Sequence, residues 1–422
     1  MPYYIRALAM GIPSILFGLL LSGWIAFIPG AMAGHADFRQ LYAAAHIVRA
    51  GMAHQLYDYD VQKAFQDRLV SPEAIALPFI RPAYQAVLFV PFTFLSYRAA
   101  YWVMLVLNIG LLSLTFHLLS PYVSNLRTIW KWLPVAIFAS FFPTGAALIQ
   151  GQDSILLLTL LAAAFVVLSK GNEFNAGVLT GLGLFKFQLI IPIALLFLIW
   201  RRWRFVGGFT TVVTALTCFS VWLTGTAQIK LYARSLFSMG AGLALVPKLF
   251  RYPLPVQMMA NLHGLVFGIS RGRITNNWQI VTTIVLSSLF LGWTTFKASR
   301  VSSAMGLLLP AITCAVLVGY YAFVHDLSVL LIPVVIILNH SLAVEGLKPV
   351  FGTLQVWSAL LVFVGPMIQV FFPNYVYLVA VAIIFLLRSA VSTISPDTGA
   401  IRQCSYEPSG RSQLLTQQRS DV

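Results

Sequence analysis

The sequence has 422 residues, of which 59% are hydrophobic and only 9% are charged. Soluble globular proteins carry about 25% charged residues, so this composition excludes a soluble protein. Apolar runs near or above about 18 residues recur along the chain, and that length crosses a membrane as a helix. The net charge of +15 does not indicate nucleic-acid binding here, because Lys and Arg in short loops mark the cytoplasmic side of a membrane protein.

The first apolar run covers about residues 7–28 and predicts a transmembrane helix. Arg6 precedes the run, which favours a cytoplasmic N-terminus. The tripeptide Ala31-Met32-Ala33 resembles a signal-peptidase site, so a cleaved signal peptide is an alternative to a permanent first span.

The next segment, residues 31–98, predicts an outer loop with an amphipathic helix over residues 38–49. Asp37 and Gln40 fit an N-terminal capping pattern, and Gly51 fits the C-terminal stop. We expect this helix to lie along the membrane surface.

Later apolar runs alternate with charged loops and predict further crossings. They cover residues 99–119, 132–149, 154–169, 204–224, 277–296, 303–323, 327–341, 350–371 and 375–388. With the first run, this predicts an all-α polytopic membrane protein with about ten transmembrane helices and both termini in the cytoplasm.

Residues 175–200 do not fit that alternation. The segment ends in the basic stretch 201–204, and a single crossing would place those charges outside, against the positive-inside rule. Lys186 and Gln188 also lie at its centre. The pattern predicts two half-helices that enter and return on the cytoplasmic side, since broken backbone is tolerated where protein surrounds it.

The organisation is that of one transmembrane domain, residues 1–388, followed by a polar tail, residues 389–422. Its two outer loops are residues 31–98 and residues 225–275, and the second contains Lys and Arg but no Asp or Glu. The tail is rich in Ser and Gln and is typical of a disordered cytoplasmic segment.

The predicted topology gathers ionisable residues at the outer face. This arrangement suits a substrate whose anionic head lies at the outer leaflet, where basic residues hold a phosphate and a carboxylate takes a proton from an attacking hydroxyl. We predict Asp37 as the general base. The candidates for binding the donor phosphate or the substrate are Arg81, Gln152, Asp153, Lys186, Arg251, His325 and Asp326.

Each candidate also has a purely structural interpretation. Asp37 and Asp153 each precede a predicted helix and could be N-caps. His325 and Asp326 could form an interfacial hydrogen-bonded pair, and Lys186 could bind backbone carbonyls instead of a lipid phosphate. The basic loop could contact anionic lipid headgroups.

A metal site has weak support in the sequence. Asp58-Tyr59-Asp60 matches the short pattern that binds a metal and a nucleotide sugar, but two carboxylates make an incomplete site for a hard cation. Cys218, Cys314 and Cys404 have no metal-ligand or disulfide spacing. We therefore expect no cofactor.

Several short motifs, in this order and spacing, together resemble a known family. They are Asp37-Phe38 with Leu41-Tyr42-Ala43-Ala44-Ala45, Gly51 followed by Leu56-Tyr57-Asp58, Arg81-Pro82, Gly151-Gln152, the run from Ala176-Gly177 to Lys186-Phe187-Gln188, Arg201-Arg202-Trp203-Arg204, and Tyr320 to Asp326-Leu327. The chain resembles glycosyltransferase family 87, a GT-C-fold group that includes polyprenyl-phosphate-mannose-dependent α-mannosyltransferases.

The resemblance implies a GT-C fold, a lipid-phosphate sugar donor and an inverting transfer outside the cytoplasm. It also implies that Asp37 occupies the position of the catalytic base. Two residues depart from the family pattern: Asp153 follows Gly-Gln where Asn is usual, and Phe187 replaces the Pro of Lys-Pro-Gln.

The sequence thus predicts a hexosyltransferase of the bacterial plasma membrane that moves a sugar, with mannose favoured, from a polyprenyl-phosphate donor to a lipid or glycan acceptor. The rival is a transporter or flippase of lipid-linked substrates. Transporters tend to carry internal repeats and mid-membrane charges, and the chain shows neither pattern apart from Lys186. A third alternative is a catalytically inactive assembly partner, against which the intact Asp37 argues.

Overall fold

The computed structural model describes residues 3–238, 255–271, 273–299, 301, 303–345 and 353–393, and within these ranges it contains helices and no β-strand. The α-helices are α1 (Tyr3–Gly30), α2 (Phe38–Arg49), α3 (Tyr59–Leu69), α4 (Ala83–Leu88), α5 (Tyr97–Leu119), α6 (Leu126–Ile129), α7 (Leu133–Ser140), α8 (Phe142–Ile149), α9 (Ser154–Ser169), α10 (Glu173–Leu182), α11 (Phe187–Ile199), α12 (Trp203–Thr224), α13 (Thr226–Ser238), α14 (Leu262–Ser270), α15 (Asn276–Ala298), α16 (Ala304–Val318), α17 (Leu331–Glu345), α18 (Leu354–Val364), α19 (Ile368–Phe371) and α20 (Val379–Thr393).

Eight helical segments in the described part of the chain are long and apolar enough to cross a membrane. They are Arg6–Arg49, Tyr97–Val123, Glu173–Ile199, Trp203–Thr224, Asn276–Ala298, Val324–Ala343, Leu354–Phe371 and Pro373–Thr393. The apolar helices α9 and α16 are shorter. Large apolar side chains such as Phe27, Trp222 and Ile284 are exposed on the outside of the bundle, as lipid contact requires. The chain is a polytopic, all-helical integral membrane protein, as predicted.

The segment Glu173–Ile199 does not cross in a straight line. A 3₁₀ turn, Gly183–Lys186, joins α10 to α11. Glu173 begins α10, and its carboxylate lies 3.2 Å from the guanidinium of Arg202, just beyond the end of α11. A straight helix of this length would separate its ends by about 40 Å, at about 1.5 Å per residue. The chain therefore doubles back, and the predicted pair of half-helices is present with Lys186 at its turn.

Two glycines pack this hairpin against α12. A Cβ atom on Gly177 would overlap the carbonyl oxygen of Phe205, and a Cβ atom on Gly208 would overlap that of Phe174. Only glycine allows two helix backbones to approach so closely. The contact fixes α10, and with it the depth at which Lys186 lies.

Several predicted crossings differ from the structure; the run 350–371, for example, is divided into α18 and α19 by a 3₁₀ turn, Gly365–Met367. The run 132–149 is broken into α7 and α8 at Phe141, whose backbone is extended immediately before Phe142-Pro143. The run 303–323 ends its helix at Val318, and the chain then follows a non-helical path through Ala322, whose carbonyl accepts a hydrogen bond from Ala260 N at 2.8 Å. Helix α20 continues past the predicted end at residue 388 to Thr393.

Helix α2 has the predicted bounds, and Gly51 follows it with a φ of +73°, which ends the helix. Its polar face, however, is only partly exposed as we expected: Arg49 is exposed and His46 half-buried, but Arg39 is buried. Arg39 is only 2% exposed and hydrogen-bonds Gln66 at 2.9 Å. On the apolar side, the ring of Phe38 packs against several aromatic rings, including that of Tyr97. The first part of the helix is enclosed because the rest of the 31–98 segment folds over it.

The loops predicted on the outer face meet at one end of the bundle. Helix α13 packs on the 31–98 segment, with Gln228 Oε1 accepting from Tyr57 N at 2.9 Å and the ring of Tyr232 stacked on that of Tyr57. At the same end, Phe38 N donates to Gln150 O at 3.0 Å. Asn261 Nδ2 donates to Gly319 O at 2.7 Å. These contacts bring the segments that carry the predicted site residues together.

Candidate active site

Asp37 lies where α1 turns into α2. A π-helical turn, Ala31–His35, contains Gly34 with a φ of +106°, and this bend redirects the chain. The backbone N–H of Asp37 donates to the side-chain oxygen of Gln150 at 3.0 Å. Because Gln150 also binds the Phe38 N–H through its backbone carbonyl, the start of α2 is held from a distant part of the chain.

The carboxylate of Asp37 does not cap α2. Its backbone is already helical, with φ −61° and ψ −21°, and its side chain makes no capping hydrogen bond. The N-cap prediction is therefore wrong. Instead, Asp37 Oδ2 accepts a hydrogen bond from Gln152 Nε2 at 2.5 Å. Among the described residues Asp37 forms no ion pair, and it is partly exposed.

Gln152 connects Asp37 to two buried cations. Its side-chain oxygen accepts from Arg81 Nη2 at 3.1 Å and from Lys186 Nζ at 3.2 Å. Its backbone carbonyl accepts from Asn108 Nδ2 at 3.0 Å. Gln152 is buried, so every hydrogen-bonding group of its side chain faces protein.

Behind Gln152 lies an ionic cluster of Arg81, Asp153, Lys186 and Asp326. Arg81 is 3.2 Å from Asp153, and Lys186 lies 3.3 Å from Asp153 and 2.6 Å from Asp326. All four side chains are at most 4% exposed. The two positive charges balance the two negative ones, as burial of ionised groups requires.

Asp153 does not cap α9, contrary to the structural interpretation of its position, because its side chain makes no capping hydrogen bond. It accepts from Gln85 Nε2 and pairs with the two cations. Burial raises the pKa of the Asp153 carboxyl, but Arg81 and Lys186 outweigh burial and hold that pKa below its ordinary value. Asp153 is therefore ionised and neutralised in place.

Asp326 and His325 approach the cluster from a 3₁₀ segment, Val324–Leu330. Asp326 Oδ2 accepts from the backbone N–H of Phe323 at 3.1 Å, which fixes the carboxylate at the start of the turn. His325 Nε2 lies 3.6 Å from Asp326 Oδ1, and the His325 side chain is 15% exposed. His325 is thus the more exposed member of this pair.

Arg81 is held by its backbone as well as by its charge. Its carbonyl accepts from the Tyr57 hydroxyl at 2.8 Å, and its Nη1 donates to Phe185 O at 3.2 Å. Burial lowers the pKa of Arg81, but the field of Asp153 and of neighbouring acidic groups raises it above its ordinary value. Asp37 is among those groups.

The structure brings seven of the eight predicted site residues to one place. They are Asp37, Arg81, Gln152, Asp153, Lys186, His325 and Asp326. Arg251 lies outside the described residues. The sequence prediction missed Gln85, Gln150 and Tyr321, of which Gln85 was signalled by its place inside an apolar run.

Tyr321 borders the same cluster. Its buried hydroxyl has no hydrogen-bond partner in the described part of the chain. Burial raises the pKa of Tyr321, and the charges of Arg81, Asp326 and Asp153 also act on it. The hydroxyl is therefore a neutral polar group beside the ions.

The described residues contain no group of three or more His, Cys, Asp or Glu side chains placed to hold a metal ion. The Asp58-Tyr59-Asp60 motif has a local role, because Asp58 is the N-cap of α3 and accepts from Asp60 N at 3.1 Å. The chemistry that the site offers is that of a partly exposed carboxylate beside a charge-neutral, buried cluster.

Comparison with known proteins assigns the chain to a family. Residues 79–319, more than half of the chain, match the family model of glycosyltransferase family 87. Neither the curated proteins nor the solved structures give a match. The matched range contains every residue of the ionic cluster except Asp326, and Asp37 precedes it. The chain belongs to glycosyltransferase family 87.

Proposed function

We propose that this membrane glycosyltransferase moves a hexose, with mannose as the first candidate, from a polyprenyl-phosphate sugar to a hydroxyl of a lipid or glycan acceptor. The observation that carries the proposal is the contrast within the site. Asp153 and Asp326 are buried and paired with cations, whereas Asp37 is partly exposed and meets a neutral amide. Membership of a glycosyltransferase family favours this enzyme over a transporter.

The reaction needs one base and a good leaving group. The acceptor oxygen attacks the anomeric carbon of the donor, and the bond from that carbon to the phosphate oxygen breaks. The electron pair leaves with the polyprenyl phosphate, which is already a stable anion and needs no acid. Asp37 takes the proton of the acceptor hydroxyl. General bases contribute about 10² to 10⁴ in rate.

The donor phosphate requires donors that are free to meet it. Arg81 and Lys186 already share Asp153, and Lys186 also pairs with Asp326. These two cations therefore hold Gln152, and the donor phosphate binds first to the partly exposed His325 and to the basic loop that contains Arg251. The buried Tyr321 hydroxyl is a candidate for a sugar hydroxyl.

We place the reaction on the extracytoplasmic face of a bacterial plasma membrane, within a GT-C-like domain of residues 1–388 that precedes a cytoplasmic tail. The base of the α10–α11 hairpin carries Arg201, Arg202 and Arg204, and the positive-inside rule puts it in the cytoplasm. Lys186, at the turn of the hairpin, then points toward the opposite side. That orientation also leaves both termini in the cytoplasm.

The proposal is tested with membranes that contain the protein and radiolabelled polyprenyl-phosphate mannose. We expect label to move into material other than the donor, and to stay in the donor in membranes without the protein or with Asp37→Asn. Parallel assays with other polyprenyl-phosphate hexoses identify the sugar. Transfer from a nucleotide sugar under conditions that block formation of the lipid-linked donor would contradict the proposal.

The acceptor is identified by mass spectrometry of extractable glycolipids and cell-envelope glycans with and without the protein. We expect one class of glycan to lack a hexose in cells without it. The same class should lack that hexose in cells that carry Asp37→Asn.

A further inference from the structure

We infer that Gln152 is a positioning residue for Asp37: its carboxamide is held by Arg81 and Lys186, binds one carboxylate oxygen and leaves the other for the acceptor hydroxyl. This inference rests on the proposed function, in which Asp37 is the base. It also explains why Arg81 and Lys186 are buried beside Gln152, which neither phosphate binding nor contact with backbone carbonyls explains. It also gives Gln152 a role distinct from that of a substrate ligand.

The orientation of the Gln152 side chain is determined by its partners. Arginine and lysine side chains only donate hydrogen bonds, so the carboxamide oxygen must face Arg81 and Lys186. The distances of 3.1 Å and 3.2 Å to that oxygen fit two such bonds. The NH₂ group must then face Asp37, whose carboxylate only accepts when ionised.

The backbone around Gln152 fixes its distance from Asp37. The Gln152 N–H donates to Ala147 O at 2.9 Å, and Gly151 has a φ of +59°. A Cβ atom on Gly151 would lie 2.8 Å from the Cβ of Phe38, which follows Asp37. Only a glycine fits at this contact, so the turn that carries Gln152 is seated against the first residue of α2.

The Gln152 carboxamide transmits the electrostatic effect of Arg81 and Lys186 to Asp37, although neither cation forms an ion pair with Asp37. Two hydrogen bonds from cations to the carboxamide oxygen polarise the group and strengthen its N–H as a donor. A donor to a carboxylate favours the ionised form. A direct ion pair would neutralise the charge of Asp37 and occupy its lone pairs. The single hydrogen bond to Oδ2 leaves Oδ1 available for the acceptor hydroxyl.

Other groups also face Asp37, and a pH-dependent measurement reports on all of them. Tyr97 of α5, Arg81 and His325 each interact electrostatically with Asp37. His35 and Arg39 flank it on its own segment. The test therefore compares variants at Gln152 alone, with these groups unchanged.

Gln152→Glu separates positioning from a merely structural role. The glutamate has nearly the same shape and keeps an oxygen for Arg81 and Lys186, but it replaces the donor to Asp37 with a second carboxylate. With labelled polyprenyl-phosphate mannose, we expect kcat at neutral pH to fall about tenfold or more, with KM for the donor nearly unchanged. The acid limb of the kcat profile should move to higher pH, because neighbouring carboxylates oppose each other's ionisation.

The inference is overturned if Gln152→Glu keeps the kcat and the pH profile of the wild type. Gln152→Asn is the second variant, for use if Gln152→Glu does not fold. It keeps a neutral amide that is one methylene too short to bridge the groups, so kcat should fall. The acid limb should move to higher pH because Asp37 loses its donor, but by less than in Gln152→Glu, which adds a second carboxylate. Full activity of Gln152→Asn would also overturn the inference.

The two proposals fail in different ways. Transfer by Asp37→Asn at the wild-type rate would remove the proposed base and, with it, the role of Gln152. An inactive Asp37→Asn together with a wild-type Gln152→Glu would remove the role of Gln152 alone. The control is Asn339→Ala in α17, which removes side-chain hydrogen bonds to the backbone N–H groups of Asn125 and Leu126, outside the site.

Discussion

Asp37 and Asp153 occupy equivalent places in the sequence, each directly before a helix, yet their surroundings in the structure differ. Neither caps its helix. Asp153 is 1% exposed and lies within 3.3 Å of two cations, whereas Asp37 is partly exposed and is bound by one amide. The surroundings of a carboxylate, rather than its place before a helix, decide whether it supports the fold or is free for chemistry.

The two carboxylates therefore have different roles: Asp153 stabilises the fold, and Asp37 is available to accept a proton. A buried carboxylate paired with cations is costly to change, because removal of one partner leaves an uncompensated charge. An accessible carboxylate with a neutral partner contributes little to folding and can accept a proton. This division predicts that substitutions on the Asp153 side change stability and that substitutions at Asp37 change activity.

The largest effect on stability is expected at Lys186. Lys186→Met leaves Asp153 and Asp326 buried with one cation fewer, and loss of a buried partner costs about 3 to 5 kcal/mol. Thermal unfolding in detergent measures the loss. The matched control is the double variant Lys186→Met, Asp326→Leu, which removes a charge of each sign and should recover part of the stability. An unfolding temperature for Lys186→Met equal to that of the wild type would contradict the stabilising role of the buried cluster.

A smaller effect is expected where the hairpin that carries Lys186 packs on α12. Gly208→Ala would force a Cβ atom against the carbonyl oxygen of Phe174, and overpacking of this kind costs about 1 to 3 kcal/mol. The neighbouring Gly207→Ala is the control, because its Cβ would meet only the Phe174 side chain, at 4.0 Å. Equal unfolding temperatures for the two alanine variants would show that the close approach does not hold the hairpin.

The smallest effect is a dependence of stability on pH. Burial raises the pKa of Asp153, but Arg81 and Lys186 bring it below the ordinary value. A carboxyl that is more acidic in the folded state stabilises that state above its unfolded pKa of about 3.9, and this contribution is lost as pH falls through the folded pKa. The stability difference between the wild type and Asp153→Asn should be constant above about pH 5 and shrink below about pH 4. A difference that grows toward acid pH would contradict this sign.

Local signals in the sequence predicted much of the fold. Helices α2 and α9 have the predicted bounds, because apolar periodicity and flanking turn residues are local features. The hairpin at Lys186 followed from the positive charges after residue 200 and the positive-inside rule. The break at Phe141 was missed because the run around it is apolar throughout and gives no change of period.

The contacts between site residues could not be predicted from local sequence patterns, because the residues are far apart in the sequence. Gln152 is separated from Asp37 by 115 positions in the sequence and from Arg81 by 71. The capping predictions for Asp37 and Asp153 used only the adjacent helix and could not include these contacts. The charge pattern did predict that the site residues gather at one end, because a membrane confines ionisable groups to its boundaries and to protein-lined interiors.

The central claim is that Asp37 is the free base and Asp153 its buried counterpart. One experiment tests it most directly: transfer from labelled polyprenyl-phosphate mannose and the unfolding temperature, measured for Asp37→Asn and Asp153→Asn in the same membrane preparation. We predict that Asp37→Asn keeps the wild-type unfolding temperature and loses transfer about 10² to 10⁴-fold, while Asp153→Asn lowers the unfolding temperature. Transfer by Asp37→Asn at the wild-type rate would contradict the account.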